Sequence, residues 1–165
     1  MGFLDRIRGR SDDDGGRRAV DDDLTADGEV VDGVAPVEEI GVRRPTPDEE
    51  QALAAARAGY AEHGIDPADL ETVVAAYDRA LARHDGEDAS GVVDLLGTAI
   101  GDHLVATAGY RWVVSTDPFG TDLAVEPPRR GIPVVTRMLV AVRWMARETG
   151  WIPGVVGHLA RIGRS

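Results

Sequence analysis

The chain has 165 residues, a net charge of −11 and no cysteine, and 43% of it is hydrophobic. That length fits one domain plus a tail, with enough apolar content for a core. The composition excludes disulfides, thiolate metal sites and cysteine nucleophiles, and the acidic balance argues against general nucleic-acid binding, which needs a basic surface.

All 18 basic residues are arginine. With abundant alanine, glycine and valine, this is the signature of a GC-rich bacterial genome, and the lack of cysteine fits a reducing cytoplasm. The charge is uneven along the chain. Thr46 to Val125 carries 4 Arg against 15 Asp and Glu, whereas Glu126 to Ser165 carries 7 Arg against 2. No apolar run reaches the ~18 residues of a membrane helix, and charges interrupt the first residues, so neither a span nor a secretory signal is expected.

Residues 1–44 read as a disordered acidic tail, because they lack the large apolar groups that would offset the entropy of ordering them. The first ten, "MGFLDRIRGR", can place Phe3, Leu4 and Ile7 on one face of a short basic helix. That face could touch anionic lipid or a partner, though it is too short to bind strongly alone. Asp23, Thr25, Asp27 and Gly28 match the start of a calcium loop, but Val34 stands where the bidentate glutamate is required.

Residues 45–165 read as a single α+β domain. "TPDEEQALAAARAGYAEHG" starts a helix with Thr46 as N-cap, Pro47 in the first turn and Glu49 completing a capping box. Gly64 ends it. "DPADLETVVAAYDRALARHDG" repeats the plan with Asp66 as cap and a stripe of Leu70, Val73, Val74, Tyr77 and Leu81. A third helix spans about Ala89 to Ala108. Gly97 and Gly101 share one side of it, at a cost of about 1 kcal/mol each relative to Ala, so close packing of a neighbour is expected there.

After Gly109 the period changes from 3.6 to 2. Trp112 and Val114 face one way, with Arg111, Val113 and Ser115 opposite; Leu123 and Val125 face one way, with Asp122 and Ala124 opposite. "DPFG", Asp117 to Gly120, has the preferences of a type I turn, so Asp117 and Asp122 read as the corner and polar face of a hairpin. "EPPRRG" is a rigid loop carrying Arg129 and Arg130. "IPVV" is a third short strand, at an edge because Pro133 cannot donate to a ladder. "TRMLVAVRWMARETG" is a helix with Met138, Leu139, Val142 and Met145 facing inward and Arg143 and Arg147 outside. A last short helix carries Ile152, Val155, Val156, Leu159 and Ile162 on one face. Three helices, a small antiparallel three-stranded meander and two helices make an α+β fold, with one sheet face on helices and the other able to face solvent.

The run "LLGTAIGDHLVATAGYRWVVSTDPFGTDLAV" with "IPVVTRMLVAVRW" resembles a small uncharacterised domain family of bacterial, mainly actinobacterial, proteins. The matching positions are Leu96, Gly97, Gly101, Asp102, Trp112, Asp117, Gly120, Asp122, Pro133 and Arg143, within about residues 88–150. The resemblance implies the fold and carries no activity.

Catalytic and metal motifs are absent. None of His63, His84, His103 and His158 pairs at zinc-helix spacing. No serine lies in G-x-S-x-G, no G-x-G-x-x-G occurs, and a phosphate loop is impossible without lysine. No cofactor or metal is expected. The leading expectation is a non-enzymatic protein-interaction module, contacting its partner through its sheet face or through the Arg129 and Arg130 loop with the basic helix that carries Arg143 and Arg147. Trp112, Trp144 and Trp151 either join that contact or fill the core. One alternative is an immunity or regulatory protein that neutralises a basic partner with its acidic helices. Another is a small enzyme or ligand-binding domain using His103, Asp117 and Asp122, which requires a cleft where they converge.

Overall fold

The computed structural model describes residues 40–118, 120–129 and 131–164. The expected tail up to residue 39, its amphipathic start and the calcium-loop spacing lie outside them. The described residues belong to one compact unit, of the α+β class.

The chain enters through β1 (Gly41–Arg43) and continues into α1 (Pro47–Ala58) and a single helical turn, α2 (Tyr60–His63). The capping box forms as read. Thr46 N–H donates to Glu49 Oε2 at 2.7 Å, and Glu49 N–H donates back to Thr46 Oγ1 at 3.4 Å. Arg43 adds a two-pronged contact to the same carboxylate, both bonds 2.7 Å. The Arg43 fork and then the Thr46 N–H hold Glu49 down to about 2, so this junction stays charged at any ordinary pH. The predicted single helix is interrupted at Gly59, and Gly64, at φ 63°, closes the second piece in the left-handed cap.

α3 (Leu70–Arg83) starts later than its sequence suggests. Asp69 caps it, accepting from Glu71 N–H at 3.0 Å, and Asp66 instead closes a turn onto Ala68 N–H. A helix capped at Asp66 would direct the Pro67 carbonyl along its own axis; here His103 Nδ1 takes that carbonyl at 2.8 Å.

α4 (Ser90–Ala108) is the axis of the fold. It packs against α1, α3, both later helices and the sheet. A helix touched on several sides is apolar around most of its circumference, and Leu96, Ala99, Ile100 and Leu104 are fully buried. Its two glycines act as read. A methyl on Gly97 would lie 2.7 Å from the Arg137 Cα, and one on Gly101 would overlap the Trp112 ring.

β2 (Arg111–Asp117) and β3 (Gly120–Glu126) form the predicted hairpin, with Trp112 opposite Val125, Val114 opposite Leu123 and Asp117 opposite Gly120. Gly120 N–H donates to Asp117 Oδ1 at 3.1 Å, so Asp117 is the corner residue the turn requires. The other sheet face is not open at its centre, because Val113 and Ala124 are also buried.

The identity of the third strand is corrected. The third strand is not "IPVV", which contributes one bridge, Val134 to Val125. It is β1, which pairs antiparallel with β2 through Gly41–Thr116, Val42–Ser115 and Arg43–Val114. On one side the next bonded pair would join Ile132 to Pro127, which has no N–H to donate, and on the other the chain turns into α5 (Thr136–Met145) right after Val135. The folded domain therefore includes residues that read as tail. Removing residues 1–44 deletes the edge strand and the Arg43–Glu49 fork, whereas removing residues 1–34 spares both. At about 1 kcal/mol per lost hydrogen bond, the shorter protein should be roughly 1–3 kcal/mol less stable in urea unfolding.

The chain ends with α6 (Ile152–Arg164). Tyr77 of α3 holds α5 and α6 together. Its ring meets Trp144 and Trp151 edge-on at 5.8 and 5.7 Å, and its hydroxyl donates to the Glu148 carbonyl at 2.8 Å. Two of the three tryptophans are thus core; Trp112 is half-buried.

Candidate functional site

α5 shows its apolar stripe to the outside. Thr136, Val140 and Trp144 are buried, while Met138, Val142 and Met145 are 53%, 49% and 77% exposed. The sequence reading had the last three facing inward. The cause lies at Gly97, where α5 meets α4 at the Arg137 backbone. That contact selects the seam at Thr136, Val140 and Trp144, spaced four apart, and turns the methionines outward. Ile132, just before α5, is 74% exposed.

Hollows lie at both ends of this stripe. Met138 joins Val135, Ser115, Asp117 and Asp122 in one of about 310 Å³; Met145 joins Trp144, His84 and Arg147 in a broader one of about 680 Å³.

The arginines expected to meet a partner are partly committed within the fold. Arg143 is half-buried, lies over the Trp151 ring at 4.6 Å and donates to the Leu139 carbonyl at 3.3 Å. Arg147, an exposed residue, adopts φ 52° and donates to the Leu81 carbonyl at 3.1 Å. Arg129 is exposed in the loop after β3, and Arg130 lies outside the described residues.

The three residues of the cleft reading do not converge. Asp117 and Asp122 share the 310 Å³ hollow, and His103, bonded to Pro67, lines neither it nor the cleft beside Trp112. Among the described residues, no group of three or more His, Asp or Glu side chains is placed to hold a metal ion.

A constellation that the sequence reading did not single out as a site centres on Asp102 of α4. Arg57 donates to its two oxygens at 2.8 and 2.7 Å, Tyr60 to Oδ2 at 2.9 Å and Trp112 Nε1 to Oδ1 at 2.9 Å. Burial works to raise the Asp102 pKa, but the bonds from Arg57, Trp112 and Tyr60 prevail and lower it. Tyr60 is pushed up by burial and by the facing carboxylate, so it remains a phenol and a donor. The carboxylate thereby ties α1, α2, α4 and β2 together at one point. It also sets the angle of Trp112, whose ring forms part of a cleft of about 270 Å³ between α1, α4, β3 and the start of α5.

A helical layer gathered on α4 and a small antiparallel sheet thus define the class, an α+β domain with an exposed Met-rich helix. The chain belongs to the family described as domain of unknown function (DUF3806), whose model matches residues 69–153, just over half its length. The match runs from the cap of α3 to the first turn of α6, so it includes Asp102, Trp112, the hairpin and the whole exposed face of α5. No curated protein and no solved structure matches the chain.

Proposed function

We propose that the domain is a non-enzymatic protein-interaction module of a bacterial cytoplasm and that its partner docks on α5. The observation that carries this reading is the row Met138, Val142 and Met145, exposed at i, i+4 and i+7 on one helix, with Ile132 close in sequence. Side chains at that spacing form a continuous strip, and helix-mediated recognition uses anchors of this kind. Methionine suits a contact surface because its unbranched thioether adapts to a partner's shape. The hollows at Met138 and Met145 offer places for a partner's side chains. Arg147 and Arg129 add positive charge, so acidic residues around the partner's apolar patch would be favoured.

A photo-crosslinking residue at Val142 should give one dominant protein adduct in cells, and the same residue at Glu62 should not. Replacing Met138, Val142 and Met145 together with serine should abolish that partner's binding. Each change should move unfolding stability by no more than about 0.5 kcal/mol, the usual range for exposed positions. Equal adducts at Val142 and Glu62, or unchanged binding by the triple variant, would defeat the reading.

A further inference from the structure

The exposed row on α5 reads nearly the same in both directions. Met138 and Met145 stand at its ends, with Val142 near the middle. Its two ends differ in charge. The register sets Asp122 opposite Ser115, so its side chain shares a sheet face with Ser115 and Asp117. Both carboxylates line the hollow at Met138. The hollow at Met145 is bordered by Arg147 and His84, with Asp85 as its one acid. The arginines of α5 itself are drawn toward their own fold. Arg137 pairs with Asp94, and Arg143 lies over the Trp151 ring.

We propose that α5 docks antiparallel onto α5 of a second copy, in a two-fold symmetric dimer. This rests on the reading of α5 as the docking face and names its partner. A two-fold axis near Ala141 and Val142 brings Met138 of each copy to the Met145 end of the other, because such an interface uses one patch twice. Each hollow with two carboxylates then meets the hollow with Arg147 and His84. A parallel pairing would set the carboxylates of both copies at the same end, which like-charge repulsion disfavours. The chain therefore carries on its own surface what its helix selects, an apolar row with acids beside it. The apolar centre is small, so the dimer is reversible, with a Kd on the order of 10 μM.

Sedimentation equilibrium of the full chain from about 1 to 200 μM, a range that brackets that Kd, should show monomer passing to dimer. Replacing Met138, Val142 and Met145 together with serine should weaken the dimer at least tenfold. Single cysteines read the orientation, because the chain has none of its own. In the antiparallel pair the two Met138 positions are offset by about 10 Å along the axis, beyond the ~7 Å Cα limit of a disulfide. A mixture of Met138→Cys and Met145→Cys chains should therefore oxidise to a mixed disulfide dimer, and neither chain alone should. A chain that stays monomeric throughout overturns self-association; if the crosslinker at Val142 still captures a different protein, the docking face itself stands. A dimer unchanged by the triple serine variant, or cysteines that pair as readily alone as mixed, overturns the proposal as well. Equal adducts at Val142 and Glu62 remove the docking face and this dimer together.

Discussion

Gly97→Ala should destabilise the domain by about 1–3 kcal/mol, while the same exchange at Gly91, on the same helix, should stabilise it by up to about 1 kcal/mol. Both changes gain the propensity of alanine over glycine, up to about 1 kcal/mol. What differs is the space each methyl meets. At Gly91 nothing lies within 4 Å, whereas at Gly97 the new carbon lies 2.7 Å from the Arg137 Cα and 2.9 Å from its nitrogen. Those are backbone atoms of α5, so a rotamer change cannot relieve the overlap and the helices must separate. Overpacking costs about 1–3 kcal/mol and occasionally more; a backbone clash belongs at the upper end, which outweighs the gain. Urea unfolding of both variants reads the two signs directly. A neutral or stabilising Gly97→Ala would mean that α5 does not rest on α4 at this point. The seam that turns Met138, Val142 and Met145 outward would then lose its explanation.

The second large effect is expected at Asp102. Asp102→Asn should cost about 2–4 kcal/mol. An amide presents one acceptor oxygen, and its NH2 group would face donors from Arg57 or Trp112. Losing one partner of a buried pair costs roughly 3–5 kcal/mol, reduced here because the Arg57 side chain is 41% exposed and can rehydrate. The pH dependence follows from the lowered folded-state pKa of Asp102. A depressed carboxylate contributes fully above its unfolded value, near 3.9, and loses that contribution as pH falls through the folded value. The stability gap between wild type and Asp102→Asn should therefore be widest at neutral pH and close in acid. A gap that stays constant down to low pH would show that the carboxylate's charge is not what binds Arg57, Tyr60 and Trp112.

Features written in neighbouring residues were legible. Thr46 and Glu49, three apart, announce their cap; Asp117, Pro118 and Gly120 announce their turn; the alternation from Arg111 to Val125 announces the hairpin. Gly97 and Gly101 could be read as packing positions because a helix does not carry such residues without compensation. The Asp102 constellation was not legible, since Arg57, Tyr60 and Trp112 stand 45, 42 and 10 residues from it in sequence. No local pattern joins them, and only the fold brings them to one carboxylate. The exposed face of α5 was misjudged because that helix has two plausible seams, and the backbone of a different helix decides between them. β1 has only three residues, and Ile40 and Val42 make too short an apolar alternation to mark a strand by themselves.

That small strand has a kinetic implication. β1 and β2 are neighbours in the sheet, yet four helices separate them along the chain. Their ladder closes a long loop, and such closures carry an entropic penalty that the helical layer must first offset. During refolding, the β1 amides that bond to β2 should gain protection after those of α4 and the hairpin. In the native protein they should exchange with solvent through local fraying long before the core opens.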